Sequence, residues 1–352
     1  MLGRFSANSS ATSHFGSTAR ALHGHTGSVP LPIEFIQPLT TTLTATPPQA
    51  RGLKQSAIAM DVIEPKPFEA KIVPHVTKFE NLLQEGQALL AALRARGLVK
   101  GAGSRIEMYV RVLDEALHFQ THRRLRKGFL GLHHAAYELM QLLMIWSAFR
   151  SDVVLPRRFE AIVSGEYAAF QNSREDDPGR AAQFELYLAA VLRKGGLVVA
   201  VDTEPDIIAN VNGMRIAIAA KRPQSMSAVR KALKGAARQI RGVGLPGFIA
   251  LDLTVATVDR PVALASVAHA DEVVRVGISV LTRAIRSLHP TLKRFFETTK
   301  DPAPLGIIYH WDLPTEVRST GQIANSARWE VHGPAPGESL ARALVSANVH
   351  SA

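Results

Sequence analysis

Glu204-Pro205-Asp206 stands at the head of one apolar stretch, Lys221 ends the next, and Glu185 lies upstream of both. Two carboxylates and a lysine are the side chains that metal-assisted phosphodiester hydrolysis needs. The acids hold one or two Mg²⁺ ions, the metal acidifies a water and shields phosphate charge, and a lysine orients that water or offsets developing charge. The plainer reading is that Asp206 caps a turn and Lys221-Arg222-Pro223 ends a strand at the surface.

The surrounding pattern decides how such side chains would be placed. Ile207 to Val211 reads as a strand, and Asn212-Gly213 is a two-residue hairpin signal that turns the chain into Met214 to Ala220. Side chains alternate along a strand, so Arg215, Ala217, Ala219 and Lys221 share a face, with Met214, Ile216, Ile218 and Ala220 on the core side. Arg180 to Lys194 has Phe184, Leu188, Val191 and Leu192 at helical spacing and stops at Gly195-Gly196, which puts Glu185 on a helix. Leu197 to Val201 is a short strand. Val229 to Ile240 reads as a helix with Val229, Leu233, Ala237 and Ile240 on one side. Its other side carries Arg230, Lys231, Lys234 and Arg238, and Arg241 follows. Phe248 to Leu253 has the composition of a central, buried strand.

This order (helix, three strands, helix, strand), with Pro-Asp before the second strand and a lysine ending the third, resembles the core of the PD-(D/E)xK nuclease superfamily. The resemblance covers residues 179 to 254. It implies a restriction-endonuclease-like αβββαβ core and hydrolysis of DNA phosphodiester bonds. Catalytic roles would fall to Asp206, Lys221 and Glu185, with Asp206 and Glu185 as ligands of Mg²⁺ or Mn²⁺. Arg222, Arg230, Lys231, Lys234, Arg238 and Arg241 would lie on the nucleic-acid backbone, and Gln239 where some members place a supporting polar residue. The departure is Ala219, which occupies the position of the second strand acid. No Asp or Glu occurs from Gly213 to Ile249 to replace it; Glu204 and Asp252 are the remaining candidates for help.

Two readings therefore stay open: a metal-dependent nuclease impaired at Ala219, or a non-catalytic relative that binds nucleic acid or a protein partner. A scaffold with no nucleic-acid role is a third. If the site stands intact apart from one missing acid, Ala219→Glu is expected to raise activity or metal affinity.

The rest of the chain sets the frame. Its 352 residues allow two domains, and the 41 Lys and Arg against 30 Asp and Glu give a net charge of +11, which favours polyanionic partners. The absence of cysteine excludes disulfides, thiolate zinc sites and a cysteine nucleophile, and fits a cytoplasmic protein. No apolar run approaches the ~18 residues of a spanning helix, so no membrane partner is expected. A homodimer is left open.

Residues 1–59 are rich in Ser, Thr, Gly and Pro and read as a disordered tail or a mis-assigned start at Met60, in preference to a transit peptide. A helical domain is expected over 75–170, with Gly97 as a stop and Ser104 and Glu107 as a capping box. His118 and His122, four apart, could ligate a metal but lack the adjoining Glu, and they read as surface histidines. The run from His122 to Lys127 reads as a solvated basic face, with contact to phosphates as the alternative. The fold class is thus α/β (α+β): this helical domain, then a PD-(D/E)xK-like α/β domain over 179–332. A loose tail over 333–352 completes the chain.

Overall fold

The computed structural model describes residues 76–99, 103–118, 125–164, 178–257, 265–299, 304–312, 314–320, 322–325 and 327–349. The expected N-terminal tail, His122 and its two following arginines, and the expected boundary at 171–177 lie outside them.

Helix α1 (Phe79–Ala95) ends where Gly97 takes a φ of 71°. Helix α2 (Arg105–His118) starts at the expected capping box: Ser104 Oγ accepts from Glu107 N at 3.3 Å, and Ser104 N donates to Glu107 Oε2 at 3.1 Å. The long helix α3 (Leu125–Phe149) and the short helix α4 (Arg158–Ser164) follow, then α5 (Pro178–Lys194).

A six-stranded mixed sheet comes next. Strands β2 (Val198–Val201), β3 (Ile207–Val211) and β4 (Met214–Lys221) form an antiparallel meander. The β3–β4 turn is Asn212-Gly213, both with positive φ (52° and 80°), as a tight hairpin requires. Helix α6 (Val229–Val243) closes on Gly244 in the left-handed region and leads to β5 (Gly247–Asp252), parallel to β4. After helix α7 (Ala270–Thr298), β7 (Gly306–Trp311) lies parallel to β5, and β10 (Arg328–His332) pairs antiparallel with β7. The sheet order is β10-β7-β5-β4-β3-β2. A second, four-stranded sheet joins β1 (Val76–Thr77), β9 (Gln322–Asn325), β8 (Pro314–Val317) and β6 (Ala265–Val267). Helix α8 spans Ala335–Val349. The described residues thus form a mixed α/β protein of the α+β type, and none of their helices is long and apolar enough to cross a membrane.

Two apolar clusters cover the two faces of the main sheet. One gathers α1, α2, α3, α5 and α8 against Ile207, Ile216, Ile218 and Ala220. The other gathers α6 and α7 against Ala217, Ala219, Ile249 and Leu251. The helical segment therefore shares its core with the sheet.

The reading of 333–352 as a loose tail is corrected over Ala335–Val349, which is helix α8. Leu340, Ala341, Ala343 and Leu344 of α8 are buried, and α8 lies so close to the end of α5 that a Cβ at Gly195 would overlap the Ala343 carbonyl. Small residues made this stretch look loose, and the same small residues allow the close approach.

Candidate functional site

Asp206 immediately precedes β3, and its carboxylate accepts from Ala220 N (2.9 Å) and from Lys221 Nζ (3.3 Å). Lys221 is the last residue of β4, so its side chain can reach past the strand end. Glu185, about two turns into α5, approaches from the helical layer. The structure thus brings Glu185, Asp206 and Lys221 to one place.

Between the two carboxylates sits an arginine. Arg158 opens α4, and its guanidinium forms ion pairs with Glu185 and with Asp206, the latter at 3.3 Å. It also reaches the Asp206 carbonyl oxygen at 3.4 Å. The loop before α4 is fastened twice, by Asp152 on Arg193 (both contacts 2.7 Å) and by Arg157 N on Asp202 Oδ2 (2.6 Å). Phe159, Ile162 and Val163 then anchor the helix in the core. Burial raises the Glu185 carboxyl to about 7, the Asp206 carboxylate adds to the rise, and Arg158 and Lys221 oppose it.

The third position of the expected acid set is elsewhere. Ala219 is fully buried, in the cluster of Val229, Leu233, Ile249 and Leu251 under α6 and α7, whereas Glu185 comes from the opposite layer. Expecting one groove-facing side of β4 fails because β4 is a central strand covered on both faces. Among the described residues no group of three His, Asp or Glu side chains is placed to hold a metal ion. Both carboxylates are instead occupied by protein cations, the Arg158 guanidinium on Glu185 and Asp206 and the Lys221 ammonium on Asp206.

Asp252 offers no help. It closes β5 in a second, buried polar group with Arg222 (3.1 Å), His310 Nδ1 (3.2 Å) and Thr254 Oγ1 (2.6 Å). Burial alone would raise the Asp252 carboxyl, but Arg222 and His310 outweigh it and hold it well below the usual range. This corrects the placement of Arg222 on a nucleic-acid backbone: its side chain is 5 % exposed and serves Asp252. Gln239 is not tied to the carboxylates either. Its side-chain oxygen is buried on α6 without a hydrogen bond among the described residues.

The remaining expected cations behave differently. Arg230, Lys231, Lys234 and Arg238 are exposed along α6, Arg241 is half-buried, and none makes an ion pair among the described residues.

The polar group around Asp252 continues inward, unsignalled by any motif. Gln141 Nε2 donates to Asp312 Oδ2 (3.1 Å), Gln183 Nε2 donates to Gln141 Oε1 (2.7 Å), and Gln183 reaches Glu138, which binds Arg105 and Arg180. Trp329, Phe184 and Tyr187 pack around His310, at 4.0, 5.5 and 5.7 Å between ring centres. Only long-range pairing assembles these residues; the sequence signal was no more than polar side chains within apolar helix and strand faces.

Burial pushes the Asp312 carboxyl well above 3.8, opposed by Gln141 and reinforced by Asp252. A carboxyl raised in the folded state binds its proton more tightly there, so folding stability falls as pH rises above the unfolded value. Asp312→Asn removes that loss. Its unfolding free energy, from urea titrations, is expected to gain on the wild type as pH rises above about 4. Parallel pH profiles would show that Asp312 is ionised in the fold.

No protein-family model, curated protein or solved structure matches the chain.

Proposed function

We propose that this chain is a nucleic-acid-binding protein on a nuclease-like core, with protein cations taking the place of metal at the carboxylates. The order α5-β2-β3-β4-α6-β5, antiparallel up to β4 and parallel from β4 to β5, supports a PD-(D/E)xK relationship. The observation that carries the functional reading is Arg158. Its guanidinium neutralises Glu185 and Asp206 together, while the exposed side of α6 keeps its cations for an outside anion. Phosphate contacts of this kind give affinity without sequence information.

A second reading, a DNA hydrolase using Asp206, Glu185 and Lys221, is favoured by the meeting of those three side chains. The two part on metal dependence. Labelled duplex DNA is expected to bind in EDTA, more weakly as salt rises, and to stay intact with Mg²⁺ or Mn²⁺ at protein concentrations that saturate binding. Metal-dependent cleavage lost in both Asp206→Ala and Lys221→Ala would replace the binding reading with the hydrolase. Failure to bind DNA at low salt would remove both.

A further inference from the structure

Helix α7 is the longest of the described helices and lies beside α6 on the same sheet face. Leu281, Ala284, Leu288, Leu292, Phe295 and Phe296 bury its inner side. Its outer side exposes Arg275, Arg283, Arg286, His289, Lys293 and Arg294. At ~100° per residue, Arg275, Arg283, Arg286, His289 and Lys293 fall within roughly 120° of one another, opposite the buried set. Arg283, Arg286, Lys293 and Arg294 make no ion pair among the described residues. Glu297 is an exposed acid at the end of that side, and Glu272 is turned back onto Ala268 N.

We infer that α7 is the second half of a two-helix surface for duplex DNA, an inference that rests on the nucleic-acid reading of α6. From Arg275 to Lys293 the stripe runs ~27 Å at 1.5 Å per residue, close to the rise of eight base pairs. Packed helices lie about 8–10 Å apart, so two basic stripes lie side by side at a spacing comparable to the ~12 Å major groove. That geometry suits a stiff double row of phosphates.

Two further features point the same way. Single strands are held largely by stacking on aromatic side chains, but the phenylalanine rings of these helices, Phe295 and Phe296, are buried, which leaves the His289 imidazole alone on the basic side. An amphipathic helix that binds lipid inserts its apolar side, and here that side is packed against the sheet.

The test compares three full-length variants: Arg230→Gln/Lys234→Gln/Arg238→Gln on α6, Arg283→Gln/Arg286→Gln/Lys293→Gln on α7, and all six changes together. All are exposed positions, and far-UV circular dichroism with thermal melts checks that each variant folds. The probes are a duplex of about 30 base pairs, a single strand of equal length, and phosphatidylglycerol–phosphatidylcholine vesicles. Each triple variant is expected to flatten the dependence of log K on log salt for the duplex by about 2–3, at ~0.9 for each phosphate that is no longer neutralised. The sextuple variant should flatten it further.

An unchanged slope in the α7 variant, with a reduced one in the α6 variant, would overturn this inference and leave the nucleic-acid reading standing. Unchanged slopes in both would overturn the two together. Tighter binding of the single strand than of the duplex, or loss of vesicle rather than duplex binding in the α7 variant, would also overturn the duplex assignment.

Discussion

Glu138→Gln is expected to remove about 3–5 kcal/mol of folding stability, the loss incurred when one member of a buried ionic group is taken away. Glu138 is completely buried on α3. It accepts from Arg105 Nη2 at 2.6 Å and from Gln183 Nε2 at 2.8 Å, and it pairs with Arg180 on its other oxygen. The Arg105 and Arg180 side chains are 0 % and 4 % exposed. Burial would raise the Glu138 carboxyl, yet the two guanidinium groups reverse the shift and hold it well below 4.5.

Glutamine keeps the shape but carries no charge, and its amide nitrogen would face a donor. Two buried cations would then lack a counter-charge, and the α3–α5 contact would be the first to loosen. Because the folded value is depressed, the stability Glu138 supplies is present above its unfolded value and fades as pH falls through the folded one. The gap between wild type and variant should therefore narrow in acid. Urea titration checks both points. A variant within about 1 kcal/mol of the wild type would mean that Glu138 is not ionised in the core. Replacing Glu138, Arg105 and Arg180 together by apolar residues should destabilise less than Glu138→Gln alone, since no charge is then stranded.

The parts of this fold that sequence exposes are those governed by local chemistry. The β3–β4 hairpin is dictated by Asn212-Gly213, whose positive φ values few other pairs tolerate, and the register is set with it, Val211 opposite Met214. The Ser104–Glu107 cap and the Gly97 stop are equally local. Glu185, Asp206 and Lys221 were legible as candidates because a hairpin and its flanking helix bring neighbouring chain segments together.

Arg158 was not legible. It sits on a helix of seven residues, too short for a clear period, and its partners lie far along the chain. The only hint was Phe159, Ile162 and Val163 at helical spacing behind it. Arg222 misleads for a related reason. It comes directly after Lys221 and resembles a surface cation, but the parallel β4–β5 pairing brings it to Asp252, and burial then binds the two. Charge at a strand end carries no label for which layer it will meet.

Ala219→Glu turns on the same question of layer. In a site lacking one acid the substitution would restore a metal ligand and raise activity. In this structure it is expected to destabilise by more than about 3 kcal/mol, because a longer side chain and a carboxyl enter a packed apolar cluster. Ala219 is opposite Ile249 on β5 and lies in the cluster with Val229 and Leu233 of α6, with no exposed surface. Ala219→Val separates the two causes: added volume without charge should destabilise by ~1–3 kcal/mol, less than the glutamate. Thermal melts rank the three proteins, and Mn²⁺ titration of the folded ones should show no gain in affinity for Ala219→Glu. A stable Ala219→Glu protein with Mn²⁺-dependent cleavage would require the new carboxylate to reach Asp206 around the end of β4, and would return the hydrolase reading to first place. On the present geometry that route is closed from both sides, since the alanine belongs to the α6–α7 core and Arg158 already occupies the space between Glu185 and Asp206.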